Sequence, residues 1–412
     1  MNSSFMEGTS IPNPDGGYAS GLKLAALFAM SAILASWGIL NKLRARSPLP
    51  PGPKGYPFIG SVLSMPNVRP WLVYDSWFKE YNSDIISFNV MGQTIVLLGS
   101  ASRCVDVFDK RSANYSDRPR FTMILELMKW DINFGFLPYG SWWKRHRKLF
   151  TQHFHPNVVS KYRPVQLREA RMFMRRLLDG PDAFMHHIRH TFAAMIMDVS
   201  YGIRVSEKND SYIRTAEEAF ATLNEATVPG TFLVDLFPLL KYVPSWMPGA
   251  WFKRHAAYAA QVNTIMAEKP WDAVKAALKA GTARPSVAAS MLENLPVDDS
   301  RKEEELIALN CAAVSYAGGA DTTVSTVQSF FLAMAKFPEV QRKVQAELDA
   351  IVGDRFPVFE DREQMPYVEA TMMEAMRWQN VTPLAVSHAC SADDEYDGHF
   401  IPKGSIIVGC TW

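Results

Sequence analysis

The sequence predicts a mainly α-helical protein with a small β-sheet, preceded by one N-terminal transmembrane helix. Three observations support this fold class. The segment Leu306–Ala335 carries one charged side chain and has the small, apolar composition of a helix through a domain interior. Two β-rich runs, at 85–90 and 94–98, flank turn residues, and a strand pattern returns at 396–408. From 121 to 395 the remaining pattern is mostly helical.

An uncharged segment near the N-terminus, Leu24–Leu40, has the composition of a membrane-spanning helix. Three basic residues follow it at once: Lys42, Arg44 and Arg46. By the positive-inside rule they place the rest of the chain in the cytosol. A cleaved signal peptide is the alternative, but its basic residues would precede the apolar run and a small-residue cleavage site would follow it. We therefore expect a tail at 1–20 and a single-pass anchor at 21–41.

The next segment, 42–60, is basic and then rich in proline. Prolines this dense make a semi-rigid, extended arm that cannot continue a helix. We expect it to be a hinge that sets the orientation of the following domain, 61–412, on the membrane. Within that domain the pattern predicts a first helix at Pro70–Tyr81 and a hairpin around Met91–Gln93.

Composition excludes some classes of function. The chain has 43 basic and 42 acidic side chains, so its net charge of +1 gives no reason to expect a nucleic-acid partner. Its four cysteines form no CxxC pair and no regular spacing: Cys104, Cys311, Cys390 and Cys410. They indicate neither a disulfide framework nor a zinc site, and no protein-held metal site is predicted from the residues alone.

The chemistry of the long helix is concentrated in its middle, at Gly318–Thr323. Two adjacent glycines destabilise a helix by about 1 kcal/mol each relative to alanine. They suggest a close approach to the backbone or a local opening of the helix. Asp321 and Thr322 follow with a carboxylate and a hydroxyl that can accept and pass protons. The alternative is a packing notch with an aspartate that bonds locally. A membrane span is disfavoured because the segment contains many polar side chains.

A basic and aromatic run, Trp142–Lys148, admits three readings. It could be a solvated helix face or a small nucleic-acid patch, and the second has weak support in a neutral chain. In the third reading Trp143 and Arg147, four residues apart on one helix face, hold a buried anion.

Glu374 and Arg377 lie three residues apart on a predicted helix. Methionines at 372, 373 and 376 flank them, so the two side chains could form a desolvated bidentate pair. This spacing alone occurs by chance in many helices, and its meaning depends on the motifs around it.

Together, these features resemble the membrane-anchored cytochrome P450 monooxygenases. The resemblance lies in the order of the set: an anchor, a proline-rich arm, WxxxR, Gly-Gly-Ala-Asp-Thr-Thr on a long helix, and then ExxR. Glu374 follows Asp321 by 53 residues, a spacing in keeping with the family. Local segments such as FLPYGSWWKRHRKLF and GHFIPKGSIIV are similar to fungal P450s of secondary metabolism.

The resemblance implies a haem b cofactor and assigns roles around it. Asp321 and Thr322 would be the acid–alcohol pair that supplies protons during dioxygen activation. Gly318 and Gly319 would open the helix beside the haem.

Other positions would hold the haem or the fold around it. Trp143 and Arg147 would bind a haem propionate, and His388 would bind another. Glu374 and Arg377 would lock the fold behind the haem.

The resemblance also implies partners. Electrons would come from NADPH through a membrane reductase that docks on Lys144, Arg145 and Lys148, with the domain on the cytosolic side of the endoplasmic reticulum. A small hydrophobic substrate would lie against 115–136 and 227–237. Its expected lining residues are Phe121, Met123, Val228, Phe232, Ala313 and Ala317.

One family feature is missing from the sequence. The haem-binding loop FxxGxRxCxG is absent from the 412 residues, and Cys410 and Cys311 stand in the wrong contexts to replace its cysteine. Two hypotheses follow. The chain is a truncated form of a haem-dependent monooxygenase, or it is a catalytically inactive homologue that serves as a membrane-anchored remnant or interaction protein. A helical transporter is excluded because only one span is predicted.

Overall fold

The computed structural model describes residues 47–66, 68–227 and 230–412. Two compact units are present: a large one, 50–393 with 402–412, and a small one that includes 394–401. The expected tail and anchor, 1–20 and 21–41, lie outside the described residues, as does the start of the hinge. In the described part of the chain, no helix is long and apolar enough to cross a bilayer.

The described chain is mainly helical, as predicted. Its α-helices are α1 (Pro70–Glu80), α2 (Ala101–Cys104), α3 (Ser112–Tyr115), α4 (Ser141–Phe154), α5 (Arg163–Asp179), α6 (Phe184–Tyr201), α7 (Ser211–Thr227), α8 (Trp251–Lys279), α9 (Val287–Glu293), α10 (Arg301–Lys336), α11 (Pro338–Ile351) and α12 (Pro366–Trp378). Two π-helical segments add to them: Val105–Lys110 and Thr122–Leu127. Short 3₁₀ turns lie at Val62–Ser64, Trp130–Ile132, Val159–Tyr162, Pro181–Ala183, Pro238–Tyr242 and Phe359–Gln364.

The sheet of the large unit has four strands in the order β1–β2–β6–β3. The strands are β1 (Ile85–Val90), β2 (Gln93–Leu98), β3 (His388–Ala389) and β6 (Ile406–Gly409). β1 and β2 form the predicted antiparallel hairpin, whose turn places Met91 and Gly92 at positive φ. β6 pairs parallel to β2 and antiparallel to β3, so the end of the chain returns to the hairpin near its start.

In the small unit, β4 (Asp394–Tyr396) and β5 (His399–Ile401) form a two-stranded antiparallel hairpin. Asp397 and Gly398 make its turn, both at positive φ, as the sequence predicted. Phe400 donates a backbone hydrogen bond to the carbonyl of Pro48, and Ser47 bonds the Glu395 carboxylate.

Helix α10 is the central element of the large unit. It extends five residues before the predicted Leu306 and one beyond Ala335, which makes it about 54 Å long. It packs against α6 most extensively and also contacts α4, α8, α9 and α12. Ile307, Ala308, Cys311 and Ala312 are fully buried in the main hydrophobic cluster.

The burial predicted for the whole of this helix is wrong for its second half. Gly318, Thr322 and Thr323 are exposed, and Leu332 has 53% of its surface accessible. From Ile307 to Tyr316 every side chain is buried or half-buried, whereas exposed positions recur from Gly318 onward. The absence of charge in the sequence therefore did not distinguish a buried helix from one with an open face.

Candidate active site

The mid-helix motif of α10 forms a compact set of polar groups. Thr322 Oγ1 donates a hydrogen bond to the Gly318 carbonyl oxygen at 2.6 Å, one helical turn back. The next residue toward the N-terminus, Asp321, accepts a hydrogen bond from Arg189 Nη1 on α6 at 3.3 Å. Arg189 also lies 3.5 Å from the carboxylate of Glu217 on α7. The motif thus combines an exposed hydroxyl with a carboxylate that a half-buried arginine holds in place.

The helix does not open at the two glycines. It is continuous from Arg301 to Lys336, so the expected local break is absent. The glycines have different surroundings: a Cβ at Gly319 would lie 2.8 Å from Cγ1 of Ile196, whereas a Cβ at Gly318 would meet nothing within 4 Å. Gly319 therefore permits close packing of α10 on α6, and Gly318 faces open space.

Helix α4 carries the predicted anion-binding pair. Trp143 is half-buried, with its ring 5.3 Å from that of Tyr139. Arg147, one turn further along, is exposed. Arg145 is not part of a free basic surface, because its guanidinium is paired with Glu303 at 2.8 Å and with Glu304 at 2.7 Å.

His388 lies on β3, where it is half-buried beside a cation. Its Nδ1–H donates to the Tyr115 carbonyl at 2.7 Å, and its ring packs 4.8 Å from that of Phe108. Burial and then the nearby Arg118 guanidinium lower the pKa of His388 to about 4. The imidazole is therefore neutral at pH 7, and an anion against its Nε2 would raise its pKa again.

Arg118 is a candidate that the sequence analysis missed. Its Nη1 donates to the carbonyls of Val386 and Ser387 at 2.8 and 2.7 Å, and burial lowers its pKa. Among the described residues no carboxylate forms an ion pair with it. A half-buried guanidinium without an acidic partner is a suitable anion ligand. A single loop arginine has no periodicity, so only its position beside His388 reveals it.

These anion-binding positions are joined through Asp117. Its carbonyl accepts a hydrogen bond from Ala389 N at 2.8 Å, beside His388, and its Oδ1 accepts one from Tyr139 N at 3.1 Å. Because Tyr139 packs on Trp143, the β3 and α4 positions belong to one connected region. Trp143 and His388 are 245 residues apart in the sequence, so no local pattern could indicate that they lie in one region.

The ExxR pair forms but is not desolvated. Arg377 Nε and Nη2 donate to the two carboxylate oxygens of Glu374 at 2.7 and 2.6 Å. The side chains are 71% and 57% exposed, and the flanking methionines at 372, 373 and 376 are exposed as well. The expectation of a buried pair shielded by methionines is therefore wrong for the described residues, since water reaches both partners.

The two segments expected to line a substrate pocket are tied together. Asp235 Oδ1 accepts a hydrogen bond from Met123 N at 2.8 Å, and Lys241 Nζ lies 2.5 Å from Glu126. Burial raises the pKa of Asp235 to about 6, although hydrogen bonds from the backbone favour its charged form. Met123, Phe232 and Ala313 are buried, and Phe121 and Ala317 are half-buried. Val228 lies outside the described residues.

Three of the four cysteines lie in environments that favour the thiol over the thiolate. Burial raises the pKa of Cys311 and of Cys410 to about 12, and it also raises that of Cys104. Cys390 is buried and its thiol donates to the Ala392 carbonyl at 2.8 Å. Haem iron in this role requires a thiolate, which these environments disfavour. Among the described residues there is no cluster of three or more histidine, cysteine or acidic side chains that could hold a metal ion.

The remaining features do fit a haem. Open space faces Gly318, Thr322 is exposed, and the Arg118 and Arg147 guanidinium groups offer N–H donors for acidic groups. His388 would offer a third donor at Nε2 once an anion favours its protonated form. These groups are the candidates that the described residues offer for holding a haem and its propionates.

Comparison with known proteins establishes the family. The Cytochrome P450 family model matches residues 50–412. The chain is 47% identical to the cytochrome P450 monooxygenase COX2 of Coprinopsis cinerea over 387 residues, 93% of this chain and 73% of that protein. It is 43% identical to COX1 of the same organism over 399 residues, 94% and 77% of the two chains. The tryptamine 4-monooxygenase of Psilocybe cyanescens is 40% identical over 371 residues, 89% and 73%.

The chain therefore belongs to the cytochrome P450 family, and its relatives are fungal monooxygenases. The cofactor of this family is haem b, and a reductase supplies its electrons.

Proposed function

We propose that this chain acts in a haem-dependent monooxygenation that inserts one oxygen atom of O2 into a hydrophobic small molecule of fungal secondary metabolism. The observation that supports this most directly is the exposed Thr322 hydroxyl, bonded to the Gly318 carbonyl and adjacent to Asp321. Family membership alone gives the fold and the cofactor, whereas this set of groups provides a route for protons.

Haem with a thiolate ligand supplies the activation of dioxygen in this family. The residues of the chain contribute proton handling. Thr322 Oγ1 donates to Gly318, so its own lone pairs remain available to accept a hydrogen bond from water or a reactant. Asp321 directly precedes Thr322, and its half-exposed carboxylate is held by Arg189. We expect these two side chains to act as the acid–alcohol pair that handles protons.

The cofactor would be held through its propionates. Trp143 and Arg147 on α4 and His388 on β3 keep the roles that the family resemblance implies, and Arg118 joins them because of its uncompensated charge. An anionic propionate against His388 would favour the imidazolium, whose Nε2–H could then donate. Gly318 leaves the space in which the ring and dioxygen would lie.

The substrate, the reductase and the membrane would each meet a different part of the chain. Met123, Phe121 and Phe232 provide an apolar surface for a small hydrophobic substrate. We expect the reductase to meet the exposed Lys144 and Lys148 rather than Arg145, whose charge two glutamates already neutralise. The single-pass anchor and the location at the endoplasmic reticulum rest on the apolar N-terminal segment.

A catalytically inactive homologue is the second candidate, and a specific observation favours it. The environments of the cysteines favour thiols, and a monooxygenase of this kind needs a thiolate. In that case the chain would serve as a membrane-anchored remnant or an interaction protein.

A reduced, carbon-monoxide-bound difference spectrum separates the two candidates. The 412-residue chain would be expressed in microsomes with a haem precursor and quantified by immunoblot. A thiolate-type Soret band would support the monooxygenase and would call for Cys410→Ser and Cys311→Ser to find the ligand. The chain present without such a band would support the inactive homologue.

Proton handling is tested in a preparation that shows the band and contains reductase. We expect Thr322→Ala to raise the hydrogen peroxide released per NADPH consumed, because protons and dioxygen are then no longer oriented by the hydroxyl. Thr323→Ala, at the neighbouring exposed threonine, is the matched control. Equal effects of the two substitutions would contradict the assigned role of Thr322.

A further inference from the structure

A buried polar pair joins α4 to α10 behind the candidate site. His146 is fully buried and Asn310 nearly so, and Asn310 Nδ2 lies 3.1 Å from His146 Nε2. Their surroundings are apolar and aromatic: the His146 ring lies 4.8 Å from that of Trp142 and 5.9 Å from that of Phe134. Polar groups are rarely buried in such a place without a specific bonding partner.

Burial lowers the pKa of His146, and for a neutral ring the donors and acceptors allow one arrangement. His146 Nδ1 lies 2.9 Å from the carbonyl of Trp142, which can only accept, so Nδ1 carries the proton. Nε2 of the neutral ring is then an acceptor, and the Asn310 amide donates to it. Cys311 adds a weaker bond, with Sγ donating to the His146 carbonyl at 3.4 Å. Directional bonds of this kind fix the rotation of one helix against another, which apolar contacts alone leave more variable.

The pair is close in sequence to both parts of the candidate site. His146 directly precedes Arg147 and lies three residues after Trp143. Asn310 lies eight residues before Gly318, a distance of about 12 Å along the helix. A rotation of α4 about its axis would move Trp143 and Arg147 together, away from any ligand that α10 faces.

We propose that His146 and Asn310 are positioning residues that hold α4 against α10 at the rotation in which Trp143 and Arg147 meet a haem propionate. This inference rests on the proposed function, because it takes Trp143 and Arg147 as propionate ligands. Neither His146 nor Asn310 touches the cofactor itself, since both are enclosed by protein.

The main alternative is that the pair only stabilises the packing of the two helices. A structural role would lower the free energy of unfolding and leave the affinity for haemin unchanged. A positioning role lowers the affinity for haemin as well, and this loss should not add to the loss caused by Arg147→Ala. The experiment therefore needs both measurements on the same proteins.

Haemin is titrated into the purified 412-residue chain, with the Soret absorbance and tryptophan fluorescence as signals. Four variants test the pair: His146→Phe, His146→Gln, Asn310→Leu and Arg147→Ala. His146→Phe removes the bond to Asn310 and keeps an aromatic ring, whereas His146→Gln keeps an acceptor for the Asn310 amide. His153→Phe is the matched control, because His153 is a buried histidine two turns along α4 whose Nδ1 has no partner. Urea unfolding of each variant gives its stability.

We expect His146→Phe and Asn310→Leu each to weaken haemin binding roughly tenfold, as supporting residues around a bound group typically do. His146→Gln should retain most of the affinity, and His153→Phe all of it. The double variant His146→Phe with Arg147→Ala should bind haemin no more weakly than Arg147→Ala alone. Once the Arg147 guanidinium is removed, the rotation of α4 no longer affects its contact with a propionate.

Three results would overturn the proposal. If Arg147→Ala weakens binding and His146→Phe does not, the positioning role fails while the propionate site stands. If His146→Gln loses as much affinity as His146→Phe, the bond to Asn310 is not the cause. If Arg147→Ala has no effect on haemin binding, the propionate site of the proposed function fails and the positioning role fails with it.

Discussion

The two halves of α10 have similar compositions and different surroundings. From Ile307 to Tyr316 the helix is enclosed by α4, α6, α8 and α9, and most of its side chains are buried. From Gly318 onward it presents Thr322, Thr323 and Leu332 to solvent. Small and uncharged residues therefore serve close packing in the first half of this helix, whereas in the second half they leave an open face at Gly318.

Along α10, this difference separates positions that we expect to stabilise the fold from positions that we expect to contact a ligand. Substitutions in the first half should mainly change the free energy of unfolding, and those in the second should mainly change what the chain binds. The first two predictions below test that separation, and the third and fourth test the surroundings of His388 and of the Glu374–Arg377 pair, in order of decreasing expected effect.

Tyr316→Ala should lower the free energy of unfolding by about 3–5 kcal/mol, as removal of a large buried ring does. Tyr316 is 1% exposed, and its hydroxyl donates to the Tyr212 carbonyl at 3.3 Å. Leu332→Ala in the exposed half should change it by less than about 0.5 kcal/mol. Urea unfolding measures both. Similar losses would show that the second half is also packed in solution.

Gly319→Ala and Gly318→Ala should act in opposite directions. Overpacking against Ile196 costs about 1–3 kcal/mol, partly offset by about 1 kcal/mol of helix propensity, so Gly319→Ala should destabilise the chain. Gly318→Ala meets no neighbour and should stabilise it by about 1 kcal/mol. The added methyl group at 318 should nevertheless weaken haemin binding. A gain in both stability and haemin affinity would contradict a site at Gly318.

The titration of His388 provides the third test. Its pKa of about 4 lies below the value of about 6.5 in an unfolded chain. Between pH 4 and pH 6.5 this histidine binds more protons in the unfolded state than in the folded state. Its contribution to the free energy of unfolding is therefore complete above pH 6.5 and is lost as the pH falls toward 4. His388→Gln should reduce the slope of stability against pH in this window, as measured by urea unfolding at a series of pH values.

Haemin should also raise the pKa of His388, observable in the NMR signal of its ring protons. A pKa that stays near 4 in the presence of saturating haemin would show that no propionate reaches this side chain. His146 is the internal comparison, because its pKa is also lowered by burial and no propionate is expected there.

The smallest effect is expected at the ExxR pair. Glu374→Gln should not measurably change the urea midpoint of the 412-residue chain, since both partners are exposed to water and screened by it. Asp198→Asn is the contrasting variant, because Asp198 is 3% exposed and lies between Arg168 and Arg284. A clear loss at Glu374 would mean that the pair is shielded in solution.

Local structure was largely predictable from the sequence. The helix at Pro70, the hairpin at Met91 and Gly92 and the extent of α10 all agree with the structure within a few residues. Each depends on contacts or torsion preferences over a few positions, which composition and spacing report well. The WxxxR, Gly-Gly-Ala-Asp-Thr-Thr and ExxR motifs were equally readable, and their order indicated the family that the comparisons established.

Environment was not predictable in the same way. The sequence alone determined which groups the chain has: the Thr322 hydroxyl, the Asp321 carboxylate, the Glu374–Arg377 pair and four cysteines. Only the tertiary structure decided that Glu374 and Arg377 face water, that Arg118 stands beside His388, and that His146 bonds Asn310. Burial and long-range pairing depend on segments separated by more than a hundred residues, and no local pattern records which of them meet.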